Sequence, residues 1–540
     1  MTKETGSKKL ILNILRAASV LVFAITLILF LCVVIGGNNW DVNFVCKLPL
    51  EVPNILLFLI TIPLFAIPVV INLLMTGRKD NDDASKAEKN AGKKEFIIVC
   101  AALFLVYALW YLINVKISKK IMFSTGWDPS CVQGTAYKLF KGEKIGDDLY
   151  YSIYPNNIPM AWVLYKTFGF IKKFRGYPYY SEFFWIQILC ALESFTGMVL
   201  GIAAYVSTKK ILAPLVSAGL FIALIGTSPW SIIPYTDAFT ILFPILGLCF
   251  YFIYLEMKKN VKYVLFFAAC FFIAIGSLLK ITVMIVLIGI VISELLRIII
   301  FKKESLKRTL IVLALALSVI PLYFGAKAVM YKDTGAELTE NLSVSWQHYF
   351  YMGLIEETTG SYNSEAYALI GQYQYSPGAE RNKKELELAG DFIKERGPVK
   401  SVFFYLKKLV MTYNDGTFTW RGEGGVKFSD YPDISSEKFR DALRSFIWNG
   451  GEHELLFNAY SQCVWLLILL GVTVSTALFS LRLFKEDEVD FKIFTAILSI
   501  VGITLFIMLF EARARYLYNF VPIFILLCTN SMFQIERKKK

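Results

Sequence analysis

The chain has 540 residues, 56% of them hydrophobic, with a mean hydropathy of +0.54 and a formal net charge of +13. Soluble domains are about 45–50% apolar, and here the excess falls in runs of roughly 20 residues, the length a helix needs to cross a ~30 Å hydrocarbon layer, so an ordinary soluble protein is excluded. Nucleic acid is excluded as the partner of the positive charge, because Lys and Arg gather at the ends of the apolar runs, the pattern set by membrane orientation and anionic headgroups.

Taken in order, the apolar runs predict twelve spans, at 10–36, 54–75, 96–115, 182–206, 211–229, 237–256, 262–279, 281–299, 309–327, 461–483, 491–510 and 516–534. Within hydrocarbon every backbone polar group must be satisfied inside its own segment, so each span is expected to be a helix. The fold class is an all-α polytopic membrane protein, with about 12 transmembrane helices and two large extracytoplasmic loops. The first run begins near Leu10 and passes Gly36. It is too long for a signal-peptide core and no small-residue cleavage site follows, so it reads as a membrane anchor.

Basic residues set the orientation. With the N-terminus inside, the inner segments hold Arg78, Lys79, Lys86, Lys89, Lys93 and Lys94, then Lys209 and Lys210, then Lys258, Lys259 and Lys262, then Arg297, Lys302, Lys303, Lys307 and Arg308, and finally the tail Arg537 to Lys540. The short outer segments are nearly bare, with only Lys47 in 37–53. Twelve spans put both basic termini on the cytoplasmic side of the cell membrane. The stretch 157–171 is only about 15 residues long and carries Lys166; it is expected to lie on the outer surface as an interfacial helix rather than to cross.

The chain thus divides into two N-terminal helices with a basic loop (1–95), a transmembrane core (96–327) containing the first large outer loop (116–181), a second large outer loop (328–460), and the C-terminal helices with a basic tail (461–540). The second loop has ordinary soluble composition, a helix-like stretch over Lys383–Arg396 and a turn at Asn414-Asp415-Gly416. No internal repeat is evident, which weighs against a transporter built from duplicated halves, and no phosphate-binding Gly loop occurs. Of nine Cys, seven stand singly in apolar runs as small buried groups. Cys46 and Cys131 fall in outer segments, where a disulfide between them is one reading.

The polar island at 121–157 sits between apolar runs and contains Trp127-Asp128-Pro129, Asp147-Asp148 and Tyr154-Pro155-Asn156-Asn157. Pro129 restricts Asp128 to an extended backbone and Trp127 offers a flat surface on which a sugar can stack. The plainer reading of Asp128 is a turn residue at a helix start. Asp147 and Asp148 read as loop solvation. Asn156 and Asn157 suit sugar hydroxyls, but Pro-Asn is also ordinary helix-start chemistry. Asp237, at the entry to a span, is either a substrate contact or an N-cap. Lys280 is the single charge between two apolar runs, suited to an anionic headgroup or to snorkelling.

The strongest signal is Glu511-Ala512-Arg513-Ala514-Arg515-Tyr516 at the outer turn before the last span. Two Arg at an outer edge run against the orientation rule, so something offsets their cost. Guanidinium binds phosphate through paired donors, and Glu511 can orient one of them. The alternative is an internal salt bridge closing a tight loop. His348, in Trp346-Gln347-His348-Tyr349, has no acidic or His neighbours at metal spacing and reads as structural or as a substrate hydrogen bond.

Together these pieces carry a resemblance. The motifs GWDP, YPNN, HYFYMGL, GSYN, NDGTFTW and EARARYLYNFVP, in that order over about 96–534, resemble the glycosyltransferase C superfamily, and more narrowly the family-39-like and mannosyltransferase-like proteins of Gram-positive cell-envelope pathways. The resemblance implies an extracytoplasmic enzyme that takes a sugar from a polyprenyl-phosphate donor and passes it to an envelope glycopolymer. It implies Asp128 as the base, Arg513, Arg515 and Lys280 at the donor phosphate, and Trp127, Tyr154, Asn156, Asn157, Asp237, His348, Glu511 and Tyr516 as substrate contacts. The first loop lacks the paired acids of some relatives, so no metal or other cofactor is expected. The competing readings are a lipid-linked sugar flippase, which would place charges mid-span, and an envelope polysaccharide ligase or polymerase.

Overall fold

A computed structural model describes residues 2–40, 42, 46–76, 87–123, 126–175, 182–301, 306–424 and 437–535. Of the basic residues used above to orient the chain, Arg78, Lys79, Lys86, Lys302, Lys303 and the tail 537–540 lie outside the described residues.

The described chain is helical. Its first half comprises α1 (Thr2–Leu31), α2 (Asn54–Thr76), α3 (Ala87–Ile121), α4 (Asp128–Phe140), α5 (Leu149–Ile153), α6 (Ile158–Arg175), α7 (Glu182–Thr208), α8 (Ala213–Phe221), α9 (Thr236–Phe239) and α10 (Leu242–Glu256). There follow α11 (Lys262–Leu279), α12 (Met284–Phe301), α13 (Leu306–Thr334), α14 (Trp346–Met352), α15 (Ser364–Gln372), α16 (Gly378–Tyr413), α17 (Lys438–Ile447), α18 (Glu454–Glu486), α19 (Phe491–Leu509) and α20 (Val521–Gln534). Eleven segments among the described residues are long and apolar enough to cross a membrane, and each coincides with a predicted span. The twelfth, predicted at 211–229, is a shorter apolar helix over Ala213–Gly226 whose last turn is π-helical.

Neighbouring helices fix the two ends of the bundle. Asn114 of α3 donates to Glu193 of α7 (2.9 Å), a Cβ on Gly197 would strike the Tyr107 ring, one on Gly201 would lie 2.7 Å from Leu103 Cδ1, and the Phe96 and Tyr205 rings meet at 5.8 Å. Numbers fall along α3 as they rise along α7, so the two are antiparallel, and small residues let them approach closely. The end of α3 and the start of α7 therefore lie at one end of the bundle. It follows that α6 does not cross. Its Trp162 and Lys166 both bind Asp333, near the end of α13, at 2.6 Å, as expected for a helix lying across the bundle end. The opposite end is held by Arg16–Asp487, by Lys492–Glu256 (2.5 Å) and by Lys209–Glu256 (3.2 Å).

The two long polar segments meet at the first end. Ile145 and Gly146 donate to the Thr334 and Gly335 carbonyls at 3.0 Å, and Glu337 returns a bond to Gly146 at 2.7 Å. The predicted helix over Lys383–Arg396 is the first half of α16, which turns at Gly397 (φ 67°) before Pro398 and continues to Tyr413. Residues 328–460 are not a separate soluble domain: Leu409, Tyr413, Phe418 and Trp420 are buried in the same core as the spans. The turn at 414–416 is likewise buried, with the Asp415 carboxylate accepting from the Thr417 and Thr419 backbone (2.8 and 2.6 Å). Cys46 and Cys131 are both free, the first buried and the second exposed.

Candidate functional site

At the loop end, residues from six separate stretches converge. The first is the start of α4. Trp127 is extended (φ −119°, ψ −152°), Pro129 fits the first helical turn, and Asp128 sits in that turn, where helix geometry favours a carboxylate. Asp128 is not the capping residue. The Tyr235 hydroxyl reaches its Oδ2 at 3.1 Å and Asn157 Oδ1 at 3.2 Å, and the Asn157 amide donates to the Tyr150 hydroxyl at 2.6 Å. Asp128 is half-buried and Gly126 beside it is exposed. Burial, and then the Asp128 charge, drive both the Tyr150 and the Tyr235 hydroxyls far above their usual range, so both stay protonated as donors.

The second element is the strand-like piece before α20. Phe510 and Arg513 have extended backbone, and a 3-10 helix begins at Ala514. Ala512 and Ala514 are buried, as are Glu511 and Arg515, while Arg513 is partly exposed. Arg513 pairs with Glu423 and with Glu511 (3.2 Å); Arg515 Nε lies 3.0 Å from Glu423 and 3.5 Å from Asp237. The Arg515 guanidinium also sits 4.3 Å from the Trp127 ring centre. Lys280, extended between α11 and the following 3-10 turn, pairs with Asp237 and lies 5.0 Å from the Tyr516 ring. Burial pushes the Lys280 ammonium below its usual range, opposed by Asp237. Burial raises the Glu511 carboxyl, opposed by the Tyr516 hydroxyl that donates to it at 2.7 Å.

Ten of the residues singled out from the sequence are drawn toward this site: Trp127, Asp128, Tyr154, Asn157, Asp237, Lys280, Glu511, Arg513, Arg515 and Tyr516. Tyr154 reaches it through its ring contact with Tyr150 at 5.5 Å. Two stand apart. Asn156 is exposed. His348 is buried against Glu385 at 2.8 Å, with Arg381 behind it, which assigns it to the packing of α14 on α16. Arg513 and Arg515 are paired with Glu423, Glu511 and Asp237, the internal salt bridge that was the alternative reading of this turn. Two expectations are corrected. One face of Trp127 is covered by Arg515, which leaves less of the ring for a sugar. Asp148 is no idle solvated group but caps α5, accepting from Tyr150 N at 2.9 Å.

Sequence reasoning missed Glu423, Tyr235 and Tyr150. Glu423 follows two left-handed non-glycine residues, Phe418 (φ 57°) and Thr419 (φ 61°), in a one-turn π-helix over Trp420–Gly424, and its carbonyl accepts the Trp127 indole N–H at 2.6 Å. Such strained backbone marks functional segments, but from sequence it reads as loop. Tyr235 adjoins Asp237 and was visible only as its neighbour. Also missed was Glu193, buried mid-span in α7 and held by Asn114 (2.9 Å) and the Tyr518 hydroxyl (3.3 Å); not every acid of this chain stands at a turn.

A family model described as "Conserved hypothetical integral membrane protein" matches residues 9–535. No curated protein matches the chain.

Proposed function

The chain belongs to this family of conserved hypothetical integral membrane proteins, and we propose that it is a glycosyltransferase working at the outer face of the cell membrane. In this reading it moves a sugar from a polyprenyl-phosphate donor to a cell-envelope glycopolymer. The observation that carries the reading is the meeting of a half-buried carboxylate, Asp128, with three cations, Lys280, Arg513 and Arg515, contributed by three separate stretches to one end of the helix bundle.

The chemistry is a single inverting displacement. An acceptor hydroxyl attacks the anomeric carbon, the bond from that carbon to the phosphate oxygen breaks, and the hydroxyl proton passes to Asp128. Tyr235 donates to Oδ2 and Tyr150 also hydrogen-bonds the carboxylate, so both tyrosines orient Asp128. The leaving phosphate gains one negative charge as Asp128 loses one, and Arg513, Arg515 and Lys280 stabilise it. Preorganised charge of this kind is the largest catalytic term in many enzymes. The outward orientation rests on the basic residues at the opposite end, Lys209, Lys258, Lys259, Lys492 and their neighbours.

The test is the chemistry of the cell envelope in a deletion strain, read by mass spectrometry. Loss of one sugar from a polymer of normal length is the expected result. A shortened or absent polymer would mean a polymerase or ligase instead. Glu193, a carboxyl buried in a span without a cation beside it, is the feature that favours a flippase; lipid-linked sugar accumulating on the inner face would establish that reading.

A further inference from the structure

We propose that the Glu423 carboxylate occupies the donor-phosphate place in the unliganded protein and is exchanged for the phosphate group when the lipid-linked sugar binds. The inference rests on the donor-phosphate reading of Arg513 and Arg515 and adds how that site stays intact when empty.

Glu423 bridges the two guanidinium groups, one carboxylate oxygen on Arg513 and the other 3.0 Å from Arg515 Nε. One small planar anion between two forks is the arrangement a phosphate would itself adopt. The Glu423 side chain is only 8% exposed, yet among the described residues neither of its oxygens makes a well-directed hydrogen bond, and Arg515 Nε and Nη1 also lack one. The pairing therefore rests on charge alone. Buried polar atoms left without directed partners are uncommon, and a ligand that supplied aligned acceptors would satisfy all of them.

Charge counting points the same way. Around Lys280, Arg513 and Arg515 stand Asp237, Glu423 and Glu511, and Asp128 adds a fourth carboxylate that acts on both arginines, so no positive charge is in surplus. A polyprenyl-phosphate sugar is a phosphodiester with one negative charge. Added to the closed cluster it would leave an uncompensated anion in a buried site, which is costly. Exchanged for Glu423 it leaves the balance unchanged. Only the Glu423 side chain needs to turn, because its backbone is fixed by the Trp127 indole on its carbonyl and by its own N–H on the Thr419 carbonyl at 3.0 Å. Arg513 is the partly exposed arginine of the pair, its guanidinium 6.0 Å from the exposed ring of Tyr362.

Binding of farnesyl phosphate to the full-length protein in nanodiscs tests the exchange, with farnesol and inorganic phosphate as controls. Glu423→Gln removes the competing charge and should bind about tenfold tighter than the wild type, as when a binding-competent state rises from about a tenth of the population to nearly all. Equal or weaker binding by this variant would overturn the exchange and leave Glu423 as a fixed support for the arginines. If the wild type bound farnesyl phosphate no better than farnesol, the donor-phosphate reading itself would fall, and equal binding of inorganic phosphate would remove the lipid. Should the variant not fold, Glu423→Asp decides: it keeps the charge but shortens the reach to the arginines, so it should also bind farnesyl phosphate more tightly than the wild type, and equal or weaker binding contradicts the proposal.

Discussion

Arg515 touches more of the site than any other side chain described above. Its guanidinium lies over Trp127 and reaches Asp237 and Glu423, so its plane and its charge are both in use. Arg515→Ala is expected to weaken binding of a prenyl phosphate by about 10- to 100-fold, the range of one or two lost charge-assisted hydrogen bonds. A change confined to acceptor affinity would contradict the phosphate role. Much of this residue chemistry was legible. Arg513 and Arg515 stood out because charge at an apolar edge is expensive, whereas Asp128, which by itself reads as a helix-start residue, stood out through the family resemblance. Glu423 was not legible. Its partners lie some ninety residues further on, and nothing in Arg421-Gly422-Glu423-Gly424 distinguishes it from a solvated loop. The meeting of Tyr235 with Asp128 depends on tertiary packing across 107 residues, which no local pattern carries.

At the scale of elements, the arginine-bearing strand is positioned by α16. Lys408, fully buried, donates to the carbonyls of Gly353 (2.6 Å), Met508 (3.1 Å) and Phe510 (2.6 Å). It thereby closes the end of α19, where carbonyls have no helical partner. Ala512 adds a backbone bond to Gly360 at 2.9 Å. Lys408→Met leaves three buried carbonyls without a donor, each worth about 1–3 kcal/mol. The variant is expected to melt at lower temperature in detergent and to bind prenyl phosphate more weakly; unchanged binding would show that the strand holds its shape without α16. Spans were the most legible elements, because about twenty apolar residues have no other common use. The break of α16 at Gly397 and the burial of its last residues, Lys408 to Tyr413, were not, since that half carries Lys407 and Lys408 and looks like a surface helix. The shortness of the helix at 213–226 was hidden by apolar residues on both sides of it.

The described residues form an integral membrane bundle with both long polar segments folded, where described, onto one end and Arg16, Lys209 and Lys492 paired at the other. The antiparallel pairing of α3 with α7 fits a helix over 157–171 that starts and finishes at the loop end. Cys131 is a native reporter of which way that end faces, being free and exposed on α4 close to Asp128. A membrane-impermeant maleimide added to intact cells is expected to label the protein, and Cys131→Ser to abolish the labelling; a thiol that reacted only after lysis would turn the site toward the cytoplasm.

The central claim is that Asp128 takes the acceptor proton, and it is tested most directly by returning the gene to a deletion strain and quantifying the transferred sugar on the envelope polymer. The wild-type chain should restore the sugar. Asp128→Asn keeps the size of the side chain and the bond from Tyr235 but cannot accept the proton, and loss of a general base costs about 10²- to 10⁴-fold. At wild-type abundance in the membrane, that variant is predicted to restore essentially none of the modification. Restoration by Asp128→Asn at a rate near that of the wild type would contradict the account.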